Sequence, residues 1–136
     1  MKISAKAEYA CLAVLALARQ RPADPPIRIR EISEAHGIPE RYLVQILLQL
    51  KGAGLVTSTR GASGGYRLGR PASSISVGEV LTAIDGPESP PRESLKPAAQ
   101  ALAMVWESVR KAERAVLDRI SIGELAERTS PREWVI

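Results

Sequence analysis

The apolar positions in the first part of the chain recur at helical spacing. Residues 5–19 are rich in Ala and Leu at intervals of three and four, which predicts a buried first helix with Ser4 as its N-cap. Three prolines follow within residues 21–27. Because proline cannot continue a helix, this stretch is predicted to be a connector.

Two short helices joined by a tight turn are predicted next. The apolar face that begins at Ile29 ends at Gly37, and Pro39 precedes a second helical pattern over residues 40–53. Residues 55–60 then alternate apolar and polar positions, as a half-buried strand does. Together these elements are typical of a helix-turn-helix followed by a strand.

Glycines at 61, 64 and 65 form a predicted turn, after which residues 66–68 return as a second strand. The result is a small two-stranded wing. Further along, Ser76 and Ser121 each have a Glu three residues later, which is the capping-box spacing, and each is predicted to open a short helix. Residues 85–97 contain four prolines and are predicted to be a loop.

A long amphipathic helix is predicted from about Leu95 to Ile120. It is longer than so small a domain can cover, and we therefore expect its apolar stripe to meet a second copy of the chain. The residues expected at this dimer interface are Leu102, Val105, Trp106, Val109, Val116 and Ile120.

The predicted fold class is mainly α (α+β): a winged helix-turn-helix domain with a two-stranded wing and a long C-terminal dimerisation helix. Residues 1–86 form the predicted DNA-binding domain. Residues 87–136 supply the loop, the long dimerisation helix and a C-terminal helix.

Charge is unevenly distributed along the chain. Residues 1–70 hold 11 Lys and Arg against 5 Asp and Glu, whereas residues 71–136 hold 8 against 10. A basic half is expected where a protein faces a polyanion, although chance asymmetry is the alternative. The excess of positive charge over residues 1–70 favours DNA as the partner of this part of the chain.

Several function classes are disfavoured by composition. Cys11 and His36 are the only residues of their types, so we expect no metal site and no cofactor, and no catalytic constellation indicates an enzyme. The apolar stretch 9–18 is far shorter than the roughly 20 residues that cross a bilayer, so no membrane is expected. The N-terminus lacks a secretory pattern, and a cytoplasmic location is expected.

The helix over residues 40–53 presents different chemistry on its two faces. Arg41 and Gln45 project away from its apolar stripe, and these side-chain types bond guanine and adenine edges in a major groove. Arg60, beside the wing glycines, could reach a minor groove, and Tyr66 and a strand follow where a nucleotide-binding loop would need Lys and a helix. The alternatives are an ordinary solvated face and a plain glycine-rich hairpin.

The sequence resembles the Rrf2 family of bacterial winged-helix regulators nearly continuously from Met1 to about Gly86, and the resemblance is carried by residues 1–10, 29–39, 42–68 and 74–85. Residues 120–125 resemble the family's closing segment. This family includes iron-sulfur and nitric-oxide sensing repressors. The resemblance implies a homodimer whose recognition helix enters the major groove and whose wing Arg enters the minor groove. The DNA-binding residues that it implies are Lys2, Ser4, Arg41, Tyr42, Gln45, Arg60, Gly61, Ser63 and Gly64.

The departures from the family are informative too. The sensing members carry three cysteines in the loop that here has none, and neither Glu8 nor His36 can replace three thiolates, so we predict a member without a cluster. Arg28 replaces the small capping residue usual before the second helix, and Val44 stands where one member has an acidic residue. The operator sequence therefore cannot be carried over.

The resulting hypothesis is a sequence-specific transcriptional regulator, a repressor, that binds double-stranded DNA as a homodimer without an iron-sulfur cluster. A small-molecule or protein effector would supply its signal. The alternative is a protein-interaction module that a partner metabolic enzyme controls, or that controls such an enzyme.

Overall fold

The computed structural model describes residues 2–87 and 96–129. Within them the mainly α winged helix-turn-helix fold is confirmed, and a short 3-10 helix, Ala72–Ser74, adds to the predicted elements. The elements, in chain order, are α1 Ala5–Ala18, α2 Ile29–His36, α3 Glu40–Gly52, β1 Val56–Thr59, β2 Gly65–Leu68, α4 Val77–Asp85, α5 Pro97–Arg119 and α6 Ile122–Arg128.

Three of the helices begin at a serine that caps them. The hydroxyl oxygens of Ser4, Ser76 and Ser121 each accept a bond from the backbone N–H three residues later, at 3.0 Å. These bonds satisfy donors that the first helical turn leaves without an intrahelical partner, and each is worth about 1 kcal/mol. The predicted starts of α1, α4 and α6 are thereby confirmed.

Helix α1 lies at the centre of the core. Its side chains Ala7, Ala10, Ala13 and Val14 are fully buried, and α1 contacts α2, α3, α4, α6 and β2. Small side chains allow neighbouring helices to approach closely, because the interaxial distance depends on the residues at the contact. Helix α3 packs against α1 through the stripe predicted from the sequence, Leu43, Ile46, Leu47 and Leu50, all fully buried.

The wing is a two-stranded antiparallel sheet in which Val56 pairs with Leu68 and Thr59 with Gly65. The connector before α2 adds a short third segment to it. The N–H of Ile27 donates to the carbonyl oxygen of Tyr66 at 3.0 Å, and the N–H of Tyr66 donates to Ile27 at 2.7 Å. Strand β2 is therefore held near the tip of the wing by the segment that leads into α2.

After α5 the chain returns to the first half of the fold. The N–H of Val77 donates to the carbonyl oxygen of Ile120 at 2.9 Å, and the N–H of Ile122 donates to Ile75 at 2.8 Å. Ile122 is fully buried in the same apolar cluster as α1. These bonds fasten both the end of α5 and the start of α6 beside the start of α4.

Helix α5 begins at Pro97, two residues later than predicted, because proline suits the first turn of a helix. The expectations for Leu95 and for most of the loop over residues 85–97 concern residues that lie outside the described ranges. No helix within residues 2–87 and 96–129 has the length and apolarity that crossing a membrane requires.

Adjacent leucines of α3 provide a matched test of this packing. Leu47 is fully buried, whereas Leu48 is 63% exposed. We expect Leu47→Ala to lower the free energy of unfolding by about 2–5 kcal/mol, since it leaves a cavity, and Leu48→Ala to change it by less than about 0.5 kcal/mol. Urea unfolding followed by circular dichroism measures both, and equal losses would contradict the assigned orientation of α3.

Candidate nucleic-acid interface

The face of α3 that points away from the core combines polar and apolar side chains. Arg41, Tyr42, Val44, Gln45 and Leu48 are all exposed, and for Arg41 and Gln45 this is the orientation that the helical spacing predicted. Arg41 and Gln45 lie one helical turn apart, so their side chains reach the same strip of surface. This arrangement offers paired hydrogen-bond donors and acceptors beside apolar atoms that could contact a methyl group.

Tyr42 links this face to the central helix. Its ring centre lies 6.2 Å from that of Tyr9 on α1, with the ring planes inclined by 54°. A tilted aromatic pair at this distance is favourable beyond the area it buries. The contact fixes Tyr42, and with it the first turn of α3, relative to α1.

The turn between α2 and α3 depends on Gly37, whose φ of 64° lies in the left-handed region. Its N–H donates to the carbonyl oxygen of Ser33, and the hydroxyl of Ser33 donates to the carbonyl oxygen of Ile38 at 2.6 Å.

Burial lowers the pKa of His36, and the positive charge of Arg19 lowers it further. Both effects favour the neutral ring.

At the wing tip, Arg60, Gly61 and Ser63 are exposed, and Gly64 is buried. The N–H of Gly64 donates to the carbonyl oxygen of Gly61 at 3.0 Å. A Cβ added to Gly64 would lie 2.2 Å from the carbonyl oxygen of Thr59, so the tip can close only around a glycine. The turn presents Arg60 and Ser63 on its outer surface.

Two long side chains fasten the wing to the helices. The ammonium group of Lys51, at the end of α3, donates to the hydroxyl of Ser58 at 2.7 Å. The guanidinium of Arg28, at the start of α2, donates to the carbonyl oxygen of Ala62 at the wing tip. Sequence reasoning missed both bonds, because neither Lys51 nor Arg28 belongs to a local pattern that indicates its partner.

The start of α1 carries the two remaining predicted DNA-binding residues. Lys2 and Ser4 are both exposed. The hydroxyl of Ser4 lies 3.2 Å from both carboxylate oxygens of Asp85, to which it donates, and its oxygen also caps α1. Ser4 therefore connects the start of α1 to the end of α4.

Helix α5 exposes an apolar stripe along the side predicted for dimerisation. Its exposed members are Leu102, Val105, Trp106, Val109 and Val116, between 45% and 53% exposed. Ile120, the sixth predicted member, is half-buried. Large contiguous apolar surfaces are rare on monomeric proteins and mark interaction sites.

Cys11 is half-buried on α1, and burial, with a smaller contribution from the charge of Glu8, raises its pKa to about 11. At neutral pH the thiol therefore remains protonated, a form that neither attacks electrophiles nor binds a metal. Among the residues that the structure describes, His, Cys, Asp and Glu form no cluster of three or more suited to a metal ion.

Comparison with known proteins gives consistent matches over nearly the whole chain. Residues 3–128 match the model of a family described as Rrf2, iron-dependent transcriptional regulator. The transcriptional regulator CymR of Bacillus subtilis is 36% identical over 129 residues, covering 95% of this chain and 92% of CymR. IscR of Escherichia coli is 37% identical over 130 residues, covering 92% of this chain and 80% of IscR.

The solved structure of B. subtilis CymR, described as the global cysteine regulator, matches this fold with a TM-score of 0.83 and 34% identity. The match covers 96% of this chain and 99% of the CymR chain. The winged-helix architecture, including the long helix α5, is thus common to both proteins.

The closure of the wing around Gly64 can be tested directly. We expect Gly64→Ala to lower the free energy of unfolding by about 1–3 kcal/mol, because its methyl group overlaps backbone atoms that must move apart. Ser63→Ala, at the exposed neighbouring position, is the control and should change it little. Urea unfolding measures both variants, and a Gly64→Ala protein as stable as the control would contradict this packing.

Proposed function

The chain belongs to the Rrf2 family of DNA-binding transcriptional regulators, and we propose that it is a sequence-specific repressor that acts as a homodimer. The observation that carries the proposal is the exposed Arg41 and Gln45 pair on α3, next to a wing that presents Arg60. The relatives it matches are named as transcriptional regulators, which supports a role in DNA binding rather than catalysis.

In this proposal α3 enters the major groove. Arg41 bonds guanine, Gln45 bonds adenine, and Tyr42, oriented by its contact with Tyr9, lies against the same strip of DNA. Each bidentate contact discriminates against a wrong base by about 1–3 kcal/mol. Val44 adds an apolar contact to a thymine methyl group.

The wing and the N-terminus hold the DNA backbone. Arg60 enters the minor groove, where a narrow width concentrates negative potential, and the exposed backbone at Gly61 allows a phosphate to approach. Gly64, which is buried, contributes by closing the turn that presents Arg60 and Ser63. Ser63 and Lys2 contact phosphates as well. Ser4 would exchange its bond to Asp85 for a bond to a phosphate oxygen.

A second copy of the chain covers the apolar stripe of α5. Residues 1–86 then bind DNA, and residues 87–136 join the two copies. Two recognition helices related by a twofold axis read half-sites about 34 Å apart, one turn of the double helix. The exposed large side chains along α5 support this arrangement because burial of such a surface stabilises association.

The residues of this chain do not fit an iron-sulfur cluster, although the family description includes iron dependence. Such clusters are held mainly by several thiolates, and the sequence has a single cysteine, Cys11, whose raised pKa keeps it protonated within α1. We therefore propose that a small-molecule or protein effector, not a cluster, regulates this protein.

Arg60→Ala tests the DNA-binding surface. With a duplex selected from a random-sequence library by the wild-type protein, we expect affinity to fall by at least about tenfold and the slope of log affinity against log salt to fall by about one, because a phosphate-proximal charge is lost. Fluorescence anisotropy at several salt concentrations measures both quantities.

Arg119→Ala, at the end of α5, removes the same charge outside the proposed surface and should leave affinity nearly unchanged. Equal effects of the two substitutions would indicate general charge attraction and refute the specific role of Arg60. Failure of the selection to yield a preferred sequence would favour the alternative in which a partner enzyme is the main ligand.

Val109→Glu tests the dimer. Val109 lies within the apolar stripe, and burying an unpaired carboxylate there should shift the protein to monomers in sedimentation velocity. Met104→Glu is the matched control, because Met104 is 73% exposed and lies on another side of α5. If Val109→Glu remains a dimer, the stripe is not the interface.

A further inference from the structure

Arg28 occupies the N-cap position of α2 in an extended conformation, with φ of −82° and ψ of 153°. Serine, threonine, aspartate and asparagine are preferred there because they bond the exposed N–H groups of the first turn. Within the described chain, the Arg28 side chain makes no such capping bond. Its guanidinium instead donates to the carbonyl oxygen of Ala62, 34 residues later at the wing tip.

We propose that Arg28 is a positioning residue for DNA binding, which fastens the wing tip to the start of α2 and so holds Arg60 in a fixed place. This inference rests on the proposed function, in which Arg60 enters the minor groove. It adds a residue that acts on DNA affinity through the wing.

The wing needs such a fastening because it is small. Its strands pair over four residues each, and a two-stranded hairpin of this size is marginally stable alone. Beyond the last pair, Thr59 with Gly65, the turn contains a local hydrogen bond from the N–H of Gly64 to the carbonyl oxygen of Gly61. The Arg28 bond adds the connection between this turn and the helices.

The segment before α2 holds the wing at two levels. Ile27 bonds Tyr66, one residue from the tip end of β2, through its backbone, and the next residue, Arg28, bonds Ala62 in the turn itself through its side chain. Movement of the tip relative to α2 is therefore restricted both at the strand next to the turn and at the turn. An ordered wing loses less conformational freedom on binding, which raises affinity without any additional contact to DNA.

A cationic groove lies beside this bond. Arg28, Arg30 and Arg60 line a groove of about 540 Å³ between the start of α2 and the wing. The described residues that line it include no acidic side chain. The guanidinium of Arg60 is therefore held at a groove in which no described acidic side chain competes with DNA for its charge.

The N-cap position makes the proposal testable, because Arg28→Ser separates two effects. Serine restores a capping group to α2 and should raise the midpoint of thermal unfolding or leave it unchanged. It also releases the wing tip, so amide hydrogens of residues 61–64 should exchange faster and affinity for the selected duplex should fall about fivefold. A purely structural role would lower stability and affinity together.

Arg30→Ser is the matched control, since it removes one arginine from the same groove. Affinity is measured for both variants, alone and combined with Arg60→Ala. We expect Arg28→Ser to have little further effect once Arg60 is absent, because Arg28 acts through Arg60, and Arg30→Ser to leave amide exchange in the wing unchanged.

Two results would overturn the proposal. Wild-type amide exchange in the wing of Arg28→Ser would mean that Arg28 does not restrain it. The second result is that Arg28→Ser lowers DNA affinity as strongly in the Arg60→Ala protein as in the wild type, and also lowers the slope of log affinity against log salt by about one. That result would mean that Arg28 contacts a phosphate directly. If Arg60→Ala alone leaves affinity unchanged, the proposed function fails, while the exchange measurement still tests the bond.

Discussion

The close packing around α1 is the constraint on which the remaining structure depends. Ala7, Ala10 and Ala13 are fully buried, and any larger side chain there would have to displace a neighbouring element. Helix α3 is positioned by its buried leucines against this surface, and Tyr42 makes a second contact to α1 through Tyr9. The orientation of the exposed α3 face is consequently a property of the core.

The two exposed surfaces of the protein differ in chemistry. On α3, Arg41 and Gln45 offer directional hydrogen bonds, whereas on α5 Trp106 and Val109 offer mainly apolar area. Hydrogen bonds distinguish one base pair from another, and apolar area favours association with a complementary apolar surface. The fold separates these two kinds of surface onto different helices.

The sequence predicted most elements, because serine caps and apolar periodicity are local signals. It did not predict the bonds of Ile27 with Tyr66 or of Arg28 with Ala62, since these join residues far apart in the chain and follow no periodic pattern. Arg28 illustrates the limit: its departure from the usual capping residue was visible, but its partner was not. The sequence also did not indicate the lowered pKa of His36, because that shift depends on burial in the fold and on the charge of Arg19.

The return of the chain at Ile122 also determines when the protein can fold during its synthesis. Ile122 fills a fully buried position beside α1. In the chain, however, the whole of α5 lies between Ile122 and Gly86, where the predicted DNA-binding domain ends. At about 5–20 residues per second, a ribosome needs roughly two to seven seconds to cover that interval. For that time the apolar side chains of α1 that α6 covers in the folded protein remain without that cover.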